Sequence, residues 1–340
     1  MPSASSTAGL APQDVVWSDD ALAIAGLRRG TRKSSAPQPM QHPAGRRPRP
    51  KDPEILSVPT WAAHPWLIHG FSTRRGGVSS AYRAGDLNLG FTSADRKEDV
   101  CRNRELVLDR LALPAGGTSS FTLLRQIHSG IIHPVSGPAS DEPQGETVPR
   151  GDGLLTREPG HLLTIQTADC IPVLVADVRK RIVGAFHAGW RGTLARIVER
   201  GVGRMRAEFG SQPEDLTAAI GPGIGGCCYA VGDEVRMEFD SQFHYAAELF
   251  HEVFDLDPIK QKYPMLFLTA RAPGHSNLGP QTHLDLVEAN RRQLLDAGLS
   301  DSAIHTLGLC TACHPERFFS YRAEQGFTGR MFSMIGIAAE

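Results

Sequence analysis

Three residues able to bind a metal or attack a substrate stand at the ends of apolar runs. They are His128 in "LLRQIHSG", Cys170 in "TADCIPVLVAD" and His187 in "RIVGAFHAGWRGT". Two imidazoles and one thiolate are the ligand set of a catalytic zinc site with an open fourth position for water. Zinc held this way would lower the pKa of that water toward neutrality and supply a nucleophile. The long separations between the three fit no short zinc-finger pattern, so only the fold can assemble them. The same residues allow other readings. A Cys inside "ADCIPVLV" is also a small core hydrophobe. Cys170 with His187 as its base would be a cysteine-hydrolase pair, and pattern alone does not separate a thiolate that attacks from one that binds metal. A copper oxidase would need a blue-copper centre and a cluster rich in histidine. The chain has 13 His, yet no His-x-His pair.

Anion-binding features lie around the trio. A helix opening at Gly192 or Thr193 would present free N–H groups to an anion, with Arg191 beside it. "STRRGG" offers Arg74 or Arg75 next to a Gly-Gly turn, and "GPGIGG" is a further Gly-rich turn that fits neither the P-loop nor the dinucleotide fingerprint. Two Arg–Gly turns beside a metal suggest an anionic substrate group such as phosphate, held by Arg74 first and Arg191 second. Trp190 reads as a packing residue rather than a platform for a base.

The remaining cysteines read differently. "CTACH" at 310–314 matches the haem-attachment pattern, but covalent haem implies export and no signal pattern is present. Half of a structural zinc site is an alternative reading, but it lacks a second CxxC. Cys310 and Cys313 therefore read as free thiols near the core, and Cys227 and Cys228 as buried small residues.

These residues need elements to position them. "HLLTIQTADC", "IPVLVAD" and "RIVGAFH" predict a buried meander of three strands, with "DVRKR" as a hairpin turn that returns Cys170 and His187 to one edge. Helical spacing follows from Leu194 to Phe209 and ends at Gly210. "RKEDVCRNRELVLDRLAL" and "HLDLVEANRRQLLDAGL" predict two more helices. "LIHGFSTRRGGVS" predicts a strand and then a Gly-Gly turn. "LTAAIGPGIGGCCYAVGDEV" predicts a strand, a turn and a helix start. Residues 136–152 read as a loop, 240–280 as irregular, and "FFSYRAEQGFTGRMFSMIGI" as two paired strands. The mixed order of elements favours an α+β or mixed α/β fold over a regular parallel βαβ array.

The 340-residue chain is 41% apolar with a formal net charge of −1. This balance argues against a protein built to hold nucleic acid. No apolar run reaches the length of a membrane span. Residues 1–55 stand apart: "RRGTRKSSAPQPMQHPAGRRPRPKDP" is basic and rich in Pro and Arg, and is expected to be disordered. Residues 56–340 are expected to form one catalytic domain. The start has no secretory pattern, which suggests a cytoplasmic protein with reduced thiols, as a monomer or homodimer.

Ordered motifs across residues 61–338 carry a resemblance: "HGFSTRRGGVS", "RQIHS", "DGLLTREPG", "TADCIPVLVAD", "HAGWRGT", "AIGPGIGGCCYAVG", "CTACHPERFFSYR" and "TGRMFSMI". Together they resemble the YfiH-like family, long labelled polyphenol oxidase or laccase-domain. The resemblance implies a four-layer α/β/β/α fold with mixed sheets and a metal site on His128, Cys170 and His187. It also implies zinc-dependent phosphorolysis of adenosine, inosine, guanosine and methylthioadenosine to base and sugar-1-phosphate. Deamination of adenosine to inosine is implied as well. The general acid for that step is not identified, although Asp169 adjoins a ligand. A copper-dependent oxidase and the Cys170–His187 hydrolase stand as alternatives.

Overall fold

The computed structural model describes residues 52–111, 120–137, 148–254 and 280–338. The first sheet runs in the order β1 (Ile55–Leu56), β2 (Leu67–Ser72), β14 (Met331–Ile337), β7 (His161–Thr167) and β4 (Ser120–Thr122). The second runs β13 (Ile304–Thr306), β10 (Leu216–Ile220), β8 (Ile171–Asp177), β9 (Ile182–Ala188), β6 (Gly153–Thr156) and β5 (Ile132–Pro134). Within these sheets, β4–β7, β5–β6 and β10–β13 pair parallel and the other neighbours antiparallel. A separate antiparallel pair joins β11 (Phe250–Phe254) to β12 (Pro280–Leu284), and β3 (Arg75–Ser79) bridges to Asp86.

Strand alternation sets the layers, because successive side chains leave a strand on opposite faces. From β8, Leu174 and Ala176 meet Leu163 and Ile165 of β7 and Ile335 of β14, filling the space between the sheets. Val173 and Val175 point the other way, into a core shared with the helices α3 (Ile197–Phe209), α4 (Asp233–Gln242) and α6 (Leu286–Asp296). The outer face of the first sheet packs on α1 (Lys97–Arg110), where Val107 meets Phe332 and Met334. A short helix α2 (Trp190–Leu194) precedes α3, and α5 (Ala246–Leu249) precedes β11. The arrangement is helix, sheet, sheet, helix with mixed sheets, as expected. Both faces of the second sheet are covered, so β8 and β9 are buried throughout and read as continuous apolar runs.

Several sequence expectations hold in detail. Gly210 ends α3 in the left-handed region at φ 69°, and the β8–β9 hairpin turns at 178–181. Others do not. The three-strand meander is really a strand of one sheet followed by a hairpin of the other: β7 pairs with β14 and β4, while β8 pairs with β9. The chain changes sheet at Ala168–Cys170, where Asp169 takes φ 96°. Gly76 and Gly77 lie inside β3 rather than in a turn. The helix after "HAGWRGT" starts at Trp190, not at Gly192 or Thr193, and breaks at Arg196 before α3. Residues 240–254 are ordered into the end of α4, α5 and β11, whereas the rest of the stretch expected to be irregular, 255–279, lies outside the described residues. At the C-terminus one strand, β14, replaces two, because residues 315–330 form turns. Most of the expected tail (1–51) and most of the 136–152 loop (138–147) also lie outside the described residues. Among the described residues, no helix is long and apolar enough to cross a membrane.

Candidate active site

The register of the second sheet assembles the site. Pro172 lies opposite His187, and Ile171 opposite Ala188. Cys170 just precedes β8, and the next step of the ladder faces it toward Gly189. On the other side of β9, Gly153 pairs with Phe186, and the His187 N–H donates to the Asp152 carbonyl at 2.7 Å. One edge of the sheet therefore carries Asp152, His187 and Cys170 side by side. His128 arrives from the loop between β4 and β5, with its backbone at φ 57°.

A single buried carboxylate holds that loop and the neighbouring ring. Asp152 accepts from the N–H groups of Ile127, His128 and Ser129, from the Ser129 hydroxyl at 2.7 Å, and from His187 Nδ1 at 2.8 Å. It thereby fixes the His187 tautomer, leaving Nε2 as the ligand atom. A carboxylate behind a histidine is the usual way such a ligand is oriented. The His128 and His187 rings are 4.9 Å apart, and Cys170 Sγ is 3.9 Å from His128 Nε2. The candidate ligand atoms of His128, Cys170 and His187 all lie within 4.8 Å of one another. The structure thus brings together the three residues singled out in the sequence. Their donor set suits a metal ion with an open position.

The charges of the trio are coupled. Burial alone would push the Cys170 thiol up, but the His187 charge and hydrogen bonds with His128 and His187 outweigh it and bring it to about 6. Burial disfavours the His187 charge, but the Cys170 thiolate and the Asp152 carboxylate lift it to about 9. Asp152 also resists its burial through hydrogen bonds from His187 and Ser129, which bring it to about 2. Without metal, the pair is a thiolate beside an imidazolium at neutral pH. A metal needs the thiolate and the neutral imidazole. Between about pH 6 and 9 the thiol has already lost its proton and His187 has not. Metal binding there should release about one proton, and affinity should rise roughly tenfold per pH unit, levelling above pH 9. Calorimetry in buffers of different ionisation enthalpy measures this; uptake of metal with no proton release would contradict the ligand set.

Gly189 makes the close approach of these ligands feasible. A Cβ at this position would sit 2.9 Å from Cys170 Sγ and 3.1 Å from His128 Cδ2. Gly189→Ala should leave the fold intact and weaken metal binding by about tenfold, the scale seen when groups that orient metal ligands are disturbed. Competition with a chromophoric chelator would measure it.

The other expected site residues are placed as follows. Arg191 is exposed, and its guanidinium lies 4.2 Å over the Trp190 ring. Trp190 itself packs on the core beside α3, in keeping with its packing role. Gly192 is buried inside α2, where a Cβ would come within 3.1 Å of the His187 carbonyl, so it serves close packing and does not open the helix. Arg74 departs from expectation. Its side chain is 1% exposed and pairs with both oxygens of Asp86, at 3.0 and 2.6 Å, and with Glu324 at 2.9 Å. It also lies 4.4 Å over the Phe319 ring. With its donors committed inside the protein, Arg74 is an internal tie between loops and not the catalytic or phosphate-binding residue expected from the sequence. Asp169 is likewise occupied: its carboxylate accepts from Thr311 Oγ1 and the Arg322 N–H, both at 2.6 Å.

Sequence reasoning missed three residues. Asp152 is visible only as an acid between two glycines in "RGDGLL". Tyr229 lies near the trio: burial and then the Cys170 thiolate push its phenol up to about 12, against the opposing pull of Arg322 and Arg191. Arg322 lies 5.1 Å over the Tyr229 ring. The Arg322 guanidinium therefore lies against Tyr229, and the charge of Arg191 is also felt there. The motifs "CCYAVG" and "FFSYRAEQ" contain Tyr229 and Arg322, but nothing in their spacing links them to Cys170.

This fold and site place the chain in a known family: it belongs to the multi-copper polyphenol oxidoreductase laccase family, whose sequence model matches residues 68–338. Its relatives carry a different activity in their names. The Bacillus subtilis purine nucleoside phosphorylase YlmD is 32% identical over 292 residues, spanning 84% of this chain and 95% of that protein. A Deinococcus radiodurans purine nucleoside phosphorylase is 38% identical over 285 residues, spanning 83% and 92%. Among solved structures, Bacillus licheniformis YfiH matches with a TM-score of 0.69 at 31% identity, covering 84% of this chain and 97% of that one. YlmD from Geobacillus stearothermophilus matches with a TM-score of 0.66 at 33% identity, covering 81% and 93%.

Proposed function

We propose that the protein is a zinc-dependent purine nucleoside phosphorylase that also deaminates adenosine. Its substrates would be adenosine, inosine, guanosine and methylthioadenosine, cleaved with phosphate to free base and sugar-1-phosphate. The observation that carries this reading is the convergence of His128, Cys170 and His187 within 4.8 Å, in a chain whose relatives are named purine nucleoside phosphorylases. Zinc on these three ligands would supply Lewis-acid stabilisation of developing negative charge. Asp152 holds His187 and the His128 loop in place for that ion. Arg191 is the first candidate for phosphate, because it is exposed beside the site, and Arg322 is the second. A cytoplasmic setting would keep the site thiols reduced.

Two groups of three or more metal-binding side chains occur among the described residues, and only this one contains histidine. That distribution does not suit the histidine-rich cluster of a multicopper oxidase. The thiolate–imidazolium pair of Cys170 and His187 favours one second reading, a cysteine hydrolase. In that case, chelators would leave activity intact and thiol alkylation would remove it.

Arg191→Ala should raise the KM for phosphate by about 10- to 100-fold, the loss expected for a charge-assisted contact, with thermal stability nearly unchanged. Steady-state kinetics with phosphate as the varied substrate checks this. The function itself is tested by mass-spectrometric product analysis of adenosine and inosine, each with and without phosphate. Phosphate-dependent adenine or hypoxanthine supports the phosphorylase, and inosine from adenosine supports the deaminase. Unchanged nucleosides with zinc bound would overturn the proposal.

A further inference from the structure

Outside the site just described, four cysteines converge. Cys227 and Cys228 follow the Gly-rich turn after β10, and Cys310 and Cys313 lie in "CTACH" after β13. β10 and β13 pair parallel, so both loops leave the same end of the sheet. Gly223 bridges to Cys310, the Thr311 N–H donates to the Gly223 carbonyl at 2.9 Å, and the Gly225 N–H donates to Cys310 Sγ at 3.2 Å. The four sulfurs all lie within 4.8 Å of one another, and Cys313 Sγ is 3.4 Å from both Cys227 Sγ and Cys228 Sγ. Cys227 and Cys313 are exposed, and Cys228 and Cys310 are half-buried. Cys227 and Cys228 are therefore not the buried small residues expected from the sequence. The missing second CxxC is supplied by the adjacent Cys227–Cys228 pair.

We infer that Cys227, Cys228, Cys310 and Cys313 form a structural zinc site that clamps the two loops together. Four thiolates form a closed set with no open position, which suits a structural zinc ion. With zinc–sulfur bonds of about 2.3 Å, a tetrahedron has sulfur–sulfur edges of about 3.8 Å. Two of the sulfur–sulfur spacings are 3.4 Å and none exceeds 4.8 Å, a range that includes this edge. Sulfurs this close surround one ion and leave no room for an iron–sulfur core with its own sulfides. The clamp also reaches the catalytic trio. The Ile224 N–H donates to the Asp169 carbonyl at 2.7 Å, and Thr311 Oγ1 donates to Asp169 Oδ1 at 2.6 Å. Both loops thus hold Asp169 at φ 96°, one residue before Cys170. The tetrathiolate site thus ties together the two loops that hold Asp169 beside Cys170.

Metal analysis of the full-length protein, purified under reducing conditions without chelator, tests this. Wild type should carry two zinc ions per chain. Cys170→Ala should retain one, and the Cys227→Ser/Cys313→Ser double variant should lose one. X-ray absorption on Cys170→Ala leaves the four cysteines untouched and should show four sulfur neighbours at about 2.3 Å around zinc. Four freely titrating thiols here in the native, reduced Cys170→Ala protein would overturn the inference. So would iron with inorganic sulfide, or a nitrogen and oxygen shell around the retained zinc.

Discussion

Cys170→Ala should empty the catalytic metal position and reduce nucleoside cleavage by on the order of a thousandfold or more. The thiolate is one of three ligands, and two imidazoles alone form an incomplete set for a bound ion. A Lewis acid contributes several kcal/mol to a transition state, which sets the scale of the loss. His128→Ala and His187→Ala should lose metal in the same way. The pairing of metal loss with activity loss is the informative part. A hydrolase with Cys170 as nucleophile would also lose activity, but its turnover would not track metal content. Metal analysis and kinetics on the same preparations make the distinction, and a fully active Cys170→Ala enzyme would remove the trio from the mechanism.

Asp152→Ala should have the second large effect, on both stability and metal. Five donors converge on this fully buried carboxylate: three backbone N–H groups, the Ser129 hydroxyl and His187 Nδ1. Deleting one partner of a buried charge network costs about 3–5 kcal/mol, because the other polar groups are left unpaired. Metal affinity should fall by about 10- to 100-fold as His187 loses its orientation. The carboxylate also sets a pH dependence. Its folded pKa, about 2, lies below the ordinary value of 3.8. Its contribution is therefore present above about pH 4 and is lost as the pH falls toward 2. His187 has the opposite sign: raised to about 9, it stabilises the metal-free fold below about pH 6.5, and that contribution fades as the pH rises through 9. Urea unfolding of the metal-free protein across this range should show the acid-side loss in wild type and much less of it in Asp152→Asn.

The parts of this site that were legible in the sequence are those set by local pattern. Helical spacing located α1, α3 and α6, and the "DVRKR" turn located the β8–β9 hairpin. That hairpin is why the sequence alone places Cys170 and His187 at one edge of a sheet. What was not legible depends on distant partners. Arg74 looks like an anion binder beside glycines, but its partner Glu324 lies at the far end of the chain, and the pair buries both groups. β7 has the same apolar character as β8, because both are covered on two faces, so composition does not say which sheet each joins. Asp152 is one acid among many until the register of β6 on β9 sets it behind His187. The four cysteines beyond the active site show the same limit. No spacing rule unites a Cys–Cys pair with a CxxC some eighty residues later, yet parallel pairing of β10 and β13 delivers both to one place.

Phosphorolysis at this site is tested by 31P NMR of the zinc-loaded protein with inosine and phosphate, run beside Cys170→Ala. A ribose-1-phosphate resonance should grow in step with hypoxanthine in wild type and be absent in the variant. Hypoxanthine formed with the phosphate signal unchanged would mean hydrolysis, and would contradict phosphorolysis at the His128–Cys170–His187 site.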